Sequence, residues 1–335
     1  MLLRNAFNAY GLDHVILVKL ASTATVSWLL GLTEDQTMAA ISQVWMDGHA
    51  LRVYRQKGNT IPRKGWAAGD ACMKATQLAL LTRAGQPGCP TPLTMPRWGF
   101  YANSFGNKHF DLPKKYGSWV IENLIFKVMP VEGHGISSVE AAMVHLKTLQ
   151  ARQLSAERDI SRIIIRTNAA ADMIINKSGP LTNAADRDHC LQYLVALTFL
   201  KGALPEAADF LDSSEWSSSS SLDSLRERIE IIPDKQLTDD YMNLDVKSVA
   251  AGVTIQLIDG EQLSEVLIQF PIGHGKNSKT QDIVSEKFHK NMGLMFSQNE
   301  IDNILTMVED KANEDKSVSE FLDLLVRETP VSPKL

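Results

Sequence analysis

Cysteine is scarce in this chain. The three in 335 residues, Cys72, Cys89 and Cys190, stand far apart with no C-x-x-C among them. That spacing argues against a disulfide framework, fits a reducing compartment and supplies no obvious ligand set for structural zinc or an iron–sulfur cluster. Positive charge is in deficit too: a net charge of −5 argues against nucleic acid as the main partner. Long apolar runs are missing. Val15 to Leu32 is interrupted by Lys19, Ser22, Thr23, Thr25 and Ser27, so no membrane-spanning helix is expected. No Walker loop, no G-x-G-x-x-G fingerprint, no Ser-His-Asp order and no internal repeat is present.

What is present is an ordinary globular composition, 44% hydrophobic and 22% charged, in a chain long enough for two domains of usual size. The first part reads as helical. Apolar residues recur on a helical period from Asp13 to Leu30 and stop at Gly31. Thr33 and Gln36 form a capping box that opens a helix to about Trp45. Trp66 to Ala84, rich in Ala, Leu and Met, ends at Gly85, a helix-stop signal. Four prolines make Gln86 to Asn107 loop-rich. Ser137 and Glu140 form a second capping box, for a helix to about Gln150. After Leu154 the pattern changes. Ile160 to Thr167 reads as a strand, and Val249 to Ile258, Asp259-Gly260 and Val266 to Phe270 read as a β-hairpin. His189 to Leu200 reads as a helix between them, and Ser213 to Ser221 as a mobile loop. Helical periodicity returns from Gln281 to Val326. Helix-rich segments thus flank an α+β insert.

Cations concentrate between Trp45 and Gly69, which holds Arg52, Arg55, Lys57, Arg63 and Lys64. Gathered at one point of a mildly acidic protein, they suggest a pocket for a small polyanion. Lys64 is placed just ahead of a helix N-terminus, where a cation opposes the macrodipole. A bound carboxylate, held by Lys64 and the N–H groups of Ala67 to Asp70, would explain it; the plainer reading is a solvated surface lysine. His134 stands one turn before the Ser137-capped helix, whose N-terminus disfavours imidazolium and so suits it to accept a proton; the alternative is a loop histidine bonded to backbone. His189 follows Asp186, Arg187 and Asp188. An adjacent carboxylate can fix its tautomer, or the group is a charge cluster in a first helical turn. The planar fork of arginine suits carboxylates, and at most two of Arg52, Arg55 and Arg63 are expected to reach a ligand, the rest pairing with Asp47 or Asp70. His274, in P-I-G-H-G, binds ligand or shapes a turn. Tyr54, Trp66 and Trp98 read as core or pocket wall.

Six runs carry a wider likeness. A-L-R-V-Y-R…R-K-G-W-A-A-G-D-A (Ala50 to Ala71), W-G-F-Y (Trp98 to Tyr101), E-N-L-I-F-K (Glu122 to Lys127), G-H-G-I-S-S-V-E-A-A (Gly133 to Ala142), G-P-L-T-N-A-A-D-R-D-H-C-L-Q-Y (Gly179 to Tyr193) and P-I-G-H (Pro271 to His274) fall in one order over nearly the whole chain. Together they resemble the MmgE/PrpD family and, within it, the 2-methylcitrate dehydratases. The resemblance implies a mainly α fold with an α+β insert: a helical domain built from both ends of the chain, 1–154 with 276–335, and a smaller lid domain, 155–275. It also implies an N-terminally incomplete helical domain, because Met1 to Tyr10 aligns inside that domain. The segment has one arginine and no acid, a composition that transit peptides share. The C-terminal S-P-K-L is not the S-K-L of a peroxisomal address.

The activity implied by the resemblance is elimination of water from a citrate-like tricarboxylate without cofactor or metal. The product would be an alkyl-cis-aconitate. Lys64, His134 and His189 are the implied catalytic residues, with Arg52, Arg55, Arg63 and His274 on the substrate. V-E-G-H-G-I-S-S departs from the phenylalanine-rich, F-H-containing run usual in 2-methylcitrate dehydratases, so a longer alkylcitrate of secondary metabolism stands beside 2-methylcitrate as substrate. Two alternatives remain in view: a cis-aconitate decarboxylase, and a truncated, non-catalytic partner subunit. A homodimer, or a pairing with a homologous chain, is the expected assembly, with neither nucleic acid nor membrane as partner.

Overall fold

The computed structural model describes residues 5–326, apart from 47, 57, 113, 114 and 116. The chain opens with α1 (Val15–Leu29), α2 (Glu34–Val44) and α3 (Arg63–Arg83), which pack on one another. Thr33 and Gln36 form the expected reciprocal capping box at the start of α2, and Glu34 and Asp35 in the first turn complement the helix dipole. Buried Ala67, Ala71, Ala75 and Ala79 repeat every four residues along α3, a smooth ridge that lets a neighbouring helix approach closely. Beside this bundle Phe7, Trp45, Phe100 and Phe105 form a buried aromatic cluster; Phe100 opens the short α4 (Phe100–Ser104), inside the proline-rich segment.

The next elements are α5 (Trp119–Glu122), α6 (Ile136–Ala151) and α7 (Ala156–Asp159). Four strands follow: β1 (Ile160–Thr167), β2 (Ile229–Pro233), β3 (Ala251–Leu257) and β4 (Gln262–Ile268), in the spatial order β2-β1-β3-β4. Ile163 of β1 faces Ile255 in the antiparallel pairing with β3 and Ile229 in the parallel pairing with β2. A parallel pair requires a long crossover. Here it carries α8 (Ala169–Ile175), α9 (Ala184–Arg187), α10 (Leu191–Lys201) and α11 (Ser220–Glu227). Every residue of α10 from Leu191 to Phe199 is buried, and α10 packs on α6, which in turn covers β3 and β4. Then come α12 (Lys235–Met242), α13 (Thr280–Met292), α14 (Gln298–Glu309) and α15 (Val318–Asp323). The fold is mainly α with a small mixed sheet. No helix of the described residues is long and apolar enough to cross a membrane.

By compactness the chain forms two units, one of residues 1–119 with 129–269, the other of 120–128 with 270–335. Two local expectations are corrected, and one strand is added to those the sequence predicts. The serine-rich stretch is not an open loop: Ser214 caps a 3-10 turn and Ser219 caps α11, because short hydroxyl side chains satisfy the free N–H groups of a helix start. Ser137 does not cap α6. A 3-10 turn, Gly133–Gly135, extends the helix upstream, and the Ser137 hydroxyl donates to the Val249 carbonyl. The edge strand β2 escapes a pattern search, since I-E-I-I-P is short and ends in proline.

In the second unit Gly273 has φ +104°, and a Cβ there would lie 2.0 Å from the Phe126 carbonyl oxygen, while its own carbonyl accepts from the Phe126 N–H at 2.8 Å. Gly273→Ala is expected to lose about 2–4 kcal/mol through left-handed strain and backbone overlap. Gly275→Ala, which meets open space, should leave the melting temperature close to wild type. Equal melting temperatures for the two variants would remove the constraint.

Candidate active site

The elements above bring Lys64, Asp188 and His189 together. Lys64 lies in the first turn of α3, which begins at Arg63, three residues earlier than its apolar pattern. Pro62, with φ −55°, is pre-organised for that start. Lys64 and Gly65 donate their N–H groups to Ile61 and Pro62, and Ala67 to Asp70 lie inside the helix. The expected carboxylate cradle of free N–H groups at Ala67 to Asp70 is therefore not formed. Instead the Lys64 side chain, 11% exposed, reaches across to the turn between α9 and α10. There its Nζ makes a short ion pair with Asp188 Oδ1 and lies 2.7 Å from His189 Nδ1. His189 Nδ1 is also 2.7 Å from Asp188 Oδ1.

The charges order this triangle. Burial alone would push the Asp188 carboxyl up. The hydrogen bond and charge of His189 and of Lys64 outweigh it and hold Asp188 below its ordinary value. An ionised carboxylate only accepts. Asp188 Oδ1 therefore accepts from the Lys64 ammonium; with His189 Nδ1 assigned as its second donor, the lone pair of His189 falls on Nε2. Burial, with the Lys64 charge, lowers His189 against the opposing pull of Asp188, so the ring is neutral near pH 7.

His134 joins the same neighbourhood through Glu132. The Glu132 N–H donates to the Asp188 carbonyl at 3.1 Å, and the Glu132 side chain caps the 3-10 turn by accepting the His134 N–H at 2.8 Å. His134 Nδ1 lies 3.0 Å from both Glu132 oxygens, and Nε2 lies 3.2 Å from the Tyr241 hydroxyl. Burial opposes ionisation of Glu132, but the charge and hydrogen bonds of His134, with the charge of His189, draw its carboxyl down to about 2. Glu132 is thus an acceptor, and His134 Nδ1 is its donor. Burial and the nearby Glu132 charge raise Tyr241, so its phenol stays protonated. Glu132 and Tyr241 were not among the sequence candidates. Glu132 was findable as the acid two residues before His134; Tyr241, more than a hundred residues away on α12, left no local signal.

The remaining candidates make other contacts. Asp13, fully buried, takes Arg55 Nε at 2.7 Å and stands 3.7 Å from Arg52 NH1, which is 3.3 Å from His14 Nδ1. Arg52 and Arg55 therefore pair with Asp13 and not with Asp70; Asp47 and Lys57 fall outside the described residues. Arg63 stacks over Trp66 at 4.2 Å and, like Arg55, over Tyr54. With Asp70, 4.0 Å away, and Lys19, His49 and Lys74 it lines a cavity of about 240 Å3. His274 belongs to the second unit, where its Nδ1 accepts the Lys276 N–H at 3.0 Å and its carbonyl accepts the Thr280 hydroxyl at 2.7 Å.

Residues 1–113 match the MmgE/PrpD N-terminal domain and residues 129–313 the MmgE/PrpD C-terminal domain. Alkylcitrate dehydratase phiI of a fungal species is 57% identical over 99% of this chain and 66% of its own length. 2-Methylcitrate dehydratase-like protein oryR of Aspergillus oryzae is 48% identical over 97% of the chain and 65% of its own length. The 2-methylcitrate dehydratase of Escherichia coli is 43% identical over 97% and 67%. The chain spans about two thirds of the length of these curated relatives.

Because the folded-state value of Glu132 is depressed, its contribution to stability is complete above its ordinary value of 4.5 and is lost as pH falls towards about 2. Urea unfolding at about pH 6 and about pH 3 should show a larger acid loss for wild type than for Glu132→Gln. Equal losses would show that Glu132 is not held ionised by folding.

Proposed function

The chain belongs to the MmgE/PrpD family, and on that premise we propose that it dehydrates an alkyl-substituted citrate to the corresponding alkyl-cis-aconitate. The observation that carries this reading is the convergence of Lys64, His189 and His134 through Asp188 and Glu132. The names of the relatives support the substrate class: the 57% identical fungal protein is called an alkylcitrate dehydratase, the bacterial one a 2-methylcitrate dehydratase. A side chain longer than methyl is favoured by the higher identity to the former.

Elimination requires loss of a proton beside a carboxylate, with negative charge growing on an already anionic group. A cation aimed at that carboxylate lowers the barrier. Lys64 supplies the charge. His189, neutral and with its lone pair on Nε2, takes the proton as general base, and Asp188 orients the ring through Nδ1. His134, held at Nδ1 by Glu132, delivers a proton from Nε2 to the departing hydroxyl in its imidazolium form, which the adjacent Glu132 carboxylate stabilises. Exposed Trp28, Leu29, Trp66, Met73 and Leu81 on α1 and α3 support association with a second chain.

Incubation with 2-methylcitrate and with longer alkylcitrates, followed by mass spectrometry, should show loss of water, with the longer substrate preferred. Release of carbon dioxide from cis-aconitate instead would replace the dehydratase by a decarboxylase. Lys64→Met should lower kcat about a hundredfold. It should also move the acid limb of kcat/KM to higher pH, because the Lys64 charge is one of the causes that lower His189. An unmoved limb would take His189 out of the base role.

A further inference from the structure

A second lysine, outside the reacting groups, ties the two halves of this site together. Lys177 is 2% exposed and its partner Asp186 7%. Its Nζ donates to Asp186 Oδ1 and to Thr60 Oγ1, both at 2.7 Å. Thr60 is buried as well, and its carbonyl accepts Asn183 Nδ2 at 2.9 Å. Asn183 in turn caps α9 by accepting the Asp186 N–H. The loop ahead of α3 is thus bonded in two ways to the segment around α9, directly through Asn183 and through the bridge of Lys177.

The position of these bonds matters more than their number. Thr60 precedes Lys64 by four residues, and only Ile61 and Pro62 separate it from α3. Asp186 precedes Asp188 by two residues and His189 by three. A buried ion pair is weak evidence for stability, since desolvation offsets much of the attraction. An apolar pair of similar volume would hold the two segments together, but without directional bonds it would not fix how far one slides along the other. The 2.7 Å contacts of the Lys64–Asp188–His189 triangle demand that register.

We propose that Lys177 is a positioning residue for the dehydration: bonded at once to Thr60 and Asp186, it sets the register between the loop that delivers Lys64 and the turn that delivers Asp188 and His189. Lys177 touches no reacting group and acts only through this clamp. The inference rests on the dehydratase reading for its kinetic consequence and on geometry alone for its structural one.

Replacing Lys177 would leave Asp186 buried and unpaired, with risk to folding, so the decisive variant is Thr60→Val, which keeps the ion pair and removes one hydroxyl. Wild type, Thr60→Val and Thr60→Ser are compared by steady-state kinetics on an alkylcitrate and by NMR titration of His189, whose ring faces Lys64, Asp188 and Glu132. In Thr60→Val kcat is expected to fall about tenfold, the equivalent of one buried hydrogen bond, with KM changed much less. The His189 midpoint is expected to rise as Lys64 loosens, and Thr60→Ser restores both. A wild-type kcat and an unmoved midpoint in Thr60→Val would overturn the proposal, as would a loss confined to melting temperature. If wild type dehydrates no alkylcitrate while the midpoint still moves in Thr60→Val, the clamp stands and the dehydratase reading fails.

Discussion

The Asp188 carboxylate is the constraint on which the rest of this site depends. It accepts an ammonium from one part of the chain and an imidazole N–H from its own neighbour, and both contacts lie in a largely desolvated place. There charge–charge attraction is much stronger than in bulk water, and an unpaired charge correspondingly costly. Lys64 without Asp188 would be a buried cation; Asp188 without Lys64 would lose part of what holds it ionised. His189 gains a fixed orientation from the pair and stays neutral. Pairing the two charges leaves the neighbouring imidazole with its lone pair near neutral pH.

The fold supplies that arrangement by topology. Parallel pairing of β1 with β2 forces a long crossover, and the turn that bears Asp188 and His189 sits in it. The buried helix α10 anchors the turn from below, since Leu191 to Phe199 leave it no freedom to move. Arg187 adds a lateral tie through the Phe210 carbonyl at 2.8 Å. On the other side α3 is held by its alanine ridge, so the reach of Lys64 is set by helix packing. Glu132 closes the arrangement, capping one turn with its side chain and bonding the Asp188 carbonyl with its backbone.

Much of this was legible in the sequence, and what was not has definite physical causes. Thr33 with Gln36 announced α2 because a cap is a local interaction. β1 and the β3–β4 hairpin were visible in β-branched runs and in Asp259-Gly260. His189 stood out beside Asp188, and Lys64 through the surrounding cations. Of the three arginines expected to divide between a ligand and Asp47 or Asp70, Arg63 lies beside Asp70, whereas Arg52 and Arg55 use Asp13, some forty residues earlier; long-range ion pairs leave no periodic trace. Lys64 looked like a residue ahead of a helix because the apolar pattern of α3 starts at Trp66, while Pro62 starts the helix earlier. The serines before Leu222 suggested mobility from composition alone, and two of them, Ser214 and Ser219, proved to be caps.

Gly135 separates the two imidazoles in a way that composition does not suggest. A Cβ at this position would lie 2.8 Å from Leu194 Cδ1 and within 3.7 Å of Leu191 and Ile175. The turn bearing His134 therefore rests directly on the helix that follows His189, at a separation narrower than one methyl group. How closely the two turns approach is decided beneath them, in the packing of α10 and α8. A change of side-chain volume at Ile175, Leu191 or Leu194 would thus shift the turn of His134 against that of His189 without altering Lys64, Asp188 or Glu132.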